Sequence, residues 1–216
     1  MSDKISVLLS EEQVLTGILK AAEQINRDYA GRSIHLICVL KGSVFFTCEL
    51  AKHLTIPVTM DFMTVSSYGD ATVSSGVVNI KKDLDESIEG RDVLIIEDIV
   101  DSGRTLSLLA AELETRNPKS LRLCTLLDKP ERRVTDVTVD YVCFEIPDEF
   151  VVGFGLDSAQ MYRNLPYIGV LEPEKSDTPQ QDTGHQICST ASCGVSDPRD
   201  SRQGKASLTL ARCSRD

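Results

Sequence analysis

Two periods of apolar residues alternate along the chain. Ser10 and Gln13 read as a capping box, and Val14, Ile18, Ala21, Ile25 and Tyr29 follow at helical spacing, which predicts a helix from about residue 11 to residue 30. Ile34-His35-Leu36-Ile37-Cys38-Val39-Leu40 is a buried-strand run that stops at Lys41-Gly42-Ser43, after which Val44 to Leu54 suits a helix. Ile56 to Val65 reads as a strand, with Pro57 admissible near its start. Ser66 to Gly76 is small and polar, and separates that strand from Val77-Val78-Asn79-Ile80-Lys81; so long a loop between strands is more often functional than idle. Val93-Leu94-Ile95-Ile96 is the most apolar strand, followed by Leu106, Leu109, Ala110 and Leu113 at helical spacing and a stop at Asn117-Pro118. Leu121 to Leu127 and Val137 to Ile146 supply two further strands.

Strands alternating with helices imply an α/β fold: a mainly parallel central sheet covered on both faces, with a hairpin around the 66–76 loop. Ligands of such sheets bind beyond the carboxyl ends of the strands, which directs attention to residues 40–43 and 97–105. All six Phe and five Tyr fall between Tyr29 and Tyr167, so residues 175–216 contain none. That segment holds seven Ser and four Thr and shows no period, and it cannot bury enough surface to offset the entropy of ordering. The expected division is a folded domain over 1–174 and a disordered tail over 175–216.

The formal charge of −10 divides unevenly, with +1 on the tail and −11 on residues 1–174. Acidity of this size argues against nucleic-acid or anionic-membrane partners, because phosphate backbones are held mainly by Lys and Arg. No apolar run approaches the length that spans a bilayer, and Met1-Ser2-Asp3-Lys4 opens no signal pattern, so the cytoplasm is the expected compartment. Of the seven cysteines, Cys38, Cys124 and Cys143 lie in apolar runs and read as small buried hydrophobes. Cys188 and Cys193 lack the further ligands of a four-coordinate zinc site. A phosphorylated ligand must then be held locally, by backbone N–H groups, a metal ion or a few placed cations.

The stretch Glu97-Asp98-Ile99-Val100-Asp101-Ser102-Gly103-Arg104-Thr105 follows the most apolar strand. Two carboxylates at the end of a buried strand are costly unless a metal ion, hydroxyls or N–H donors satisfy them. Asp101 then begins a loop of small residues whose free N–H groups, at the positive end of the helix dipole, can wrap an anion. A sugar phosphate suits both halves, with hydroxyls on the carboxylates and phosphate on the loop. A bland strand end in solvent explains one acidic residue better than three with a Ser-Gly-Arg-Thr loop. A Walker loop is excluded because no G-x-x-x-x-G-K-[ST] occurs. A receiver domain would want its acidic pair after the first strand, where Val39-Leu40-Lys41-Gly42 stands.

With these residues in view, the chain resembles the type I phosphoribosyltransferases, and within them the hypoxanthine-guanine phosphoribosyltransferases, over about residues 5–172. The 97–105 motif marks the broad fold; Leu40-Lys41-Gly42-Ser43, Ser66-Ser67-Tyr68-Gly69, Leu127-Asp128-Lys129-Pro130 and Pro147 to Asp157 mark the 6-oxopurine branch. The resemblance implies a small hood beside the sheet, a flexible hairpin loop, and transfer of phosphoribose from phosphoribosyl diphosphate to hypoxanthine or guanine. It implies that Glu97 and Asp98 meet the ribose hydroxyls near a magnesium ion, that Asp101 is the acid/base residue, and that Ser102, Gly103, Arg104 and Thr105 hold the 5′-phosphate. Lys41, Gly42 and Arg163 are the implied pyrophosphate contacts, with a strained peptide between Leu40 and Lys41. Lys129, Phe150, Val151 and Asp157 are assigned to the purine side, Asp157 also as a ligand of a second metal. Ser67 and Tyr68 belong to the lid that excludes water. A homodimer or homotetramer is the assembly expected of the family.

Ser158 and Phe154 depart from residues frequent in relatives, and Val170-Leu171-Glu172-Pro173 stands where relatives finish with a short apolar strand. A nucleotide-sensing regulator on the same fold would keep the phosphate loop alone; Asp101, Lys129 and the acidic charge favour catalysis. Preference among hypoxanthine, guanine and xanthine stays open.

Overall fold

The computed structural model describes residues 4–66 and 79–172. Ser67 and Tyr68 of the expected lid, and the expected tail over 175–216 with Cys188, Cys193 and Cys213, lie outside the described residues. The elements run β1 (Lys4–Leu9), α1 (Glu11–Asp28), β2 (Ile34–Val39), α2 (Val44–Lys52), β3 (Val58–Ser66) and β4 (Asn79–Lys82). They continue through β5 (Asp92–Val100), α3 (Arg104–Glu114), β6 (Ser120–Asp128), a 3-10 turn at Pro130–Arg132, β7 (Tyr141–Glu145), β8 (Val151–Val152) and β9 (Ile168–Glu172).

Six strands form the main sheet in the order β4-β3-β2-β5-β6-β7, and β4 alone runs antiparallel to its neighbour. The chain leaves β2 towards β3 on one side and resumes at β5 on the other, so the winding direction reverses between β2 and β5. Neighbouring loops diverge at such a reversal and leave a crevice beyond the carboxyl ends of the two strands. Alternation along the strands divides the core. Leu36, Leu94 and Ile96 join the cluster under α1 and α2, whereas Ile37, Val93 and Ile95 join the cluster under α3. The capping box of α1 is formed, with the Gln13 N–H donating to Ser10 Oγ and the Ser10 N–H to Gln13 Oε1. Its inward face carries Val14, Ile18, Ala21, Ala22 and Ile25, as the spacing predicts.

Several expected bounds are corrected. α1 ends at Asp28, two residues short of the expected 30, because Gly31 at φ +74° turns the chain towards β2. α2 ends at Lys52 rather than Leu54, where the His53 N–H closes a final tight turn on the Leu50 carbonyl. The strand expected over 137–146 contracts to Tyr141–Glu145, because pairing with β6 begins at Tyr141, opposite Cys124. Ile168–Glu172 forms a strand, held between β1 and β8 in a separate three-stranded antiparallel sheet. Neither β1 nor β8 stands out in the pattern, because each takes its strand form from pairing with β9. Among the described residues, no helix is long and apolar enough to cross a membrane.

Candidate active site

The crevice between β2 and β5 brings residues 40–43 and 97–105 together, as the strand order requires. The Leu40–Lys41 peptide is cis, and the Gly42 that follows lies against the Asp98 side chain, so a Cβ there would stand 1.5 Å from Asp98 Oδ2. On its other side, Gly155, at φ +103°, packs so tightly that a Cβ of its own would come 1.9 Å from the Gly42 carbonyl oxygen. Only residues without side chains allow this three-layer contact of loop, loop and carboxylate. Arg163 holds the Gly155 loop from behind, donating to the Gly155 carbonyl at 2.6 Å and pairing with Asp157 at 2.6 Å. The other Asp157 oxygen accepts the Gln160 N–H at 2.7 Å, and the exposed Lys41 reaches Gln160 Oε1 at 3.2 Å.

Glu97 and Asp98 sit half-buried at the end of β5. Burial pushes the Glu97 carboxyl well above its ordinary range, and the Asp98 charge pushes it further. Burial raises Asp98 as well, partly offset by the Ile99 N–H, which donates to Asp98 Oδ1 at 2.9 Å. Glu97 Oε2 is buried without a hydrogen-bond partner. Beyond them the chain passes Asp101 and enters α3 through Gly103, which adopts φ +78° as the N-cap and supplies no side-chain cap. A cavity of about 380 Å³ opens here, lined by Leu40, Ser66, Glu97, Asp101, Ser102, Gly103 and Thr105 among others. Arg104 projects into solvent, and its N–H donates to Ser102 Oγ at 3.4 Å.

The next strand end contributes a buried cation. Lys129 follows β6 and is only 5% exposed, which rules out a plain surface lysine. Its ammonium donates to the Glu149 carbonyl at 2.7 Å and lies 3.5 Å from Asp101 Oδ1 and 3.6 Å from Asp148 Oδ1. Val151 is buried in β8, opposite Val170 of β9, whereas its neighbour Phe150 is 58% exposed, so that ring is not part of the core. Phe154 meets Phe45 at 6.2 Å between ring centroids.

A family model described as the phosphoribosyl transferase domain matches residues 5–159. The hypoxanthine-guanine phosphoribosyltransferase of Streptococcus thermophilus (strain CNRZ 1066) is 54% identical over 168 residues, 78% of this chain and 93% of the relative. That of Mycobacterium tuberculosis (strain ATCC 25618 / H37Rv) is 53% identical over 174 residues, 78% of this chain and 86% of the relative. The chain belongs to the hypoxanthine-guanine phosphoribosyltransferase family. A solved family structure from Bacillus anthracis, 48% identical, agrees with a TM-score of 0.76 over 79% of this chain and 100% of that one.

The family resemblance directs attention to positions scattered over more than a hundred residues, and the strand order draws those described into one region. Among the described residues no group of three or more acidic, His or Cys side chains forms a ready metal cage. The donors nonetheless suit a hard cation that keeps other oxygen ligands. Glu97 Oε2 is a buried acceptor with no donor, beside a second carboxylate. Sequence reasoning passed over Arg133, whose guanidinium contacts three different segments, and Gln160, the partner of Lys41. The Gly-Phe-Gly pattern at 153–155 was the available signal for a tight loop there, since both glycines and Phe154 have positive φ. Arg133 carried no such signal.

Proposed function

We propose that the chain works in purine salvage, transferring the 5-phosphoribosyl group from phosphoribosyl diphosphate to N9 of hypoxanthine or guanine and releasing pyrophosphate with IMP or GMP. The observation that carries this reading is the Lys129 ammonium, buried yet 3.5 Å from the exposed Asp101 carboxylate and bonded to the Glu149 carbonyl, one residue before the uncovered Phe150. A 6-oxopurine offers an oxygen to a cation, an N–H to a carboxylate and a flat face to a ring, and these three groups answer it in turn. In this reading Lys129 donates to the 6-oxo group, Phe150 stacks on the base, and the Val151 main chain meets the 2-position. Asp101 accepts the proton that purine N7 sheds as N9 bonds to C1′ and the bond from C1′ to the diphosphate breaks.

The 5′-phosphate lies on the amides and hydroxyls of Ser102 to Thr105, at the uncapped start of α3. Glu97 and Asp98 hold the ribose hydroxyls. Lys41, the Gly42 amide and Arg163 face the leaving pyrophosphate, and Ser67 and Tyr68 close over the centre to keep water from C1′. Mg²⁺ held through Glu97, Asp98 and Asp157 would offset the charge of the diphosphate as it departs. We assign the enzyme to the cytoplasm and to a homodimer or homotetramer, the assembly checked by sedimentation. The activity is tested by steady-state kinetics with phosphoribosyl diphosphate, magnesium and each of hypoxanthine, guanine and xanthine. Hypoxanthine and guanine are expected to turn over, and no conversion of any 6-oxopurine would sink the reading.

A further inference from the structure

Arg133 follows the 3-10 turn after β6, and its side chain is 20% exposed. Its Nε donates to the Asp101 carbonyl at 3.3 Å, its Nη1 to the Val137 carbonyl at 3.2 Å, and its Nη2 to the Asp128 carboxylate. Its Cδ stands against Gly103, 2.9 Å from where a Cβ would lie. The residues that follow continue the contact, since the N–H groups of Val134 and Thr135 donate to the Ser102 carbonyl at 3.1 and 3.3 Å. The backbone carbonyls of residues 101 and 102 are thus both drawn towards one segment, Arg133 to Thr135.

In a trans peptide the carbonyl and the next N–H point in opposite directions. Holding the Asp101 carbonyl towards Arg133 turns the Ser102 N–H the other way, and holding the Ser102 carbonyl does the same for the Gly103 N–H. The far side of this loop is the cavity, which Ser102 and Gly103 line and the Arg133 segment does not. We propose that Arg133 is a positioning residue that orients the loop amides for the phosphate of the ribose 5-phosphate group. This proposal rests on the assignment of that loop to the 5′-phosphate. Its anchor is the Asp128 carboxylate, 12% exposed and adjacent to Lys129, so the phosphate loop takes its orientation from the strand end that carries the purine-side cation. A lysine could keep the ion pair but could not reach three acceptors in different directions, because its donors share one nitrogen.

The test compares wild type with Arg133→Gln and Arg133→Lys, both checked for folding by circular dichroism. Two quantities are measured: KM for phosphoribosyl diphosphate and for guanine, and the Kd of GMP by calorimetry. Loss of amide orientation raises the KM for phosphoribosyl diphosphate and the Kd of GMP at least tenfold in both variants, with the KM for guanine within twofold of wild type. Folded variants with unchanged values, or with both KM values raised alike, would overturn the assignment. If the glutamine variant does not fold, the lysine variant, which retains the charge beside Asp128, decides alone. A lysine variant with wild-type phosphate affinity rejects the orienting role in favour of simple charge neutralisation, and one that also fails to fold rejects it in favour of a role in holding the fold itself. Wild type inactive with every 6-oxopurine, but binding GMP more tightly than either variant, would refute the proposed reaction and leave Arg133's role standing.

Discussion

Lys129 sits where burying a cation is unfavourable unless it is paired and hydrogen-bonded, and the chain surrounds it with the Glu149 carbonyl and the carboxylates of Asp101 and Asp148. Arg132 steadies Asp148 from outside at 3.1 Å. Hydrogen bonds to charged groups contribute about 1.5–3 kcal/mol, so Lys129→Ala is expected to lower kcat/KM for guanine by about 10- to 150-fold. Steady-state kinetics check this, and a variant with wild-type kcat/KM would remove Lys129 from the purine side. The Leu-Asp-Lys-Pro match singled out this lysine, but its burial depends on residues 148 and 149, brought beside it by the chain after β7. Gly42 illustrates the same division. The Lys-Gly pair is readable in sequence, whereas the reason for glycine is the close approach of Asp98 and of Gly155, more than fifty and a hundred residues away.

Among the elements, α1 is the one most completely written in local sequence. Its cap, first turn and buried stripe all fall within one segment, and the helix forms where they indicate. Because Ser10 Oγ satisfies an otherwise free N–H of the first turn, Ser10→Ala is expected to cost about 1 kcal/mol. Urea denaturation should show the lower midpoint, with both KM values unchanged because the cap is not part of the cleft. An unaltered midpoint would mean that solvent caps the helix equally well. The short strands behave oppositely. β1 and β9 carry only partly buried patterns, with Lys4, Ser6 and Val7 exposed, and each is a strand because the other is its partner. Local propensity cannot express that pairing.

Across the whole molecule, polar groups at the amino ends of the strands bear on stability rather than chemistry. His35, in β2, is 2% exposed; its Nδ1 lies 2.7 Å from Thr59 Oγ1 and 3.4 Å from Arg91. Burial holds the imidazole below its ordinary 6.5, and the Arg91 charge lowers it further, against smaller opposite effects of Asp61 and Glu86. The unfolded chain therefore binds a proton at His35 that the folded chain does not, between the lowered value and 6.5. The resulting stability is fully present above 6.5 and is lost as the pH falls towards the lowered value. Urea midpoints taken from pH 8 down to about pH 5 should fall more steeply in wild type than in His35→Gln. Parallel curves would show that His35 titrates alike in both states. The free thiols follow the same logic: burial pushes Cys143 to about 12 and Cys124 well above its ordinary value, as their apolar runs imply.

By itself the sequence determined the class of sheet, the helices with complete local signals, the acidic and small-residue loop after the most apolar strand, and the motifs of the family. Those features depend on the period of side chains along a strand or helix and on chemistry carried within a few residues. Tertiary structure alone decided that β1 and β9 are strands, that Lys129 is a buried cation facing Asp101, and that Arg133 holds the carbonyls of the phosphate loop. Each of these is a contact between segments distant in sequence. Its energy comes from a partner group whose position follows from the order in which the strands assemble, and no local pattern encodes that order.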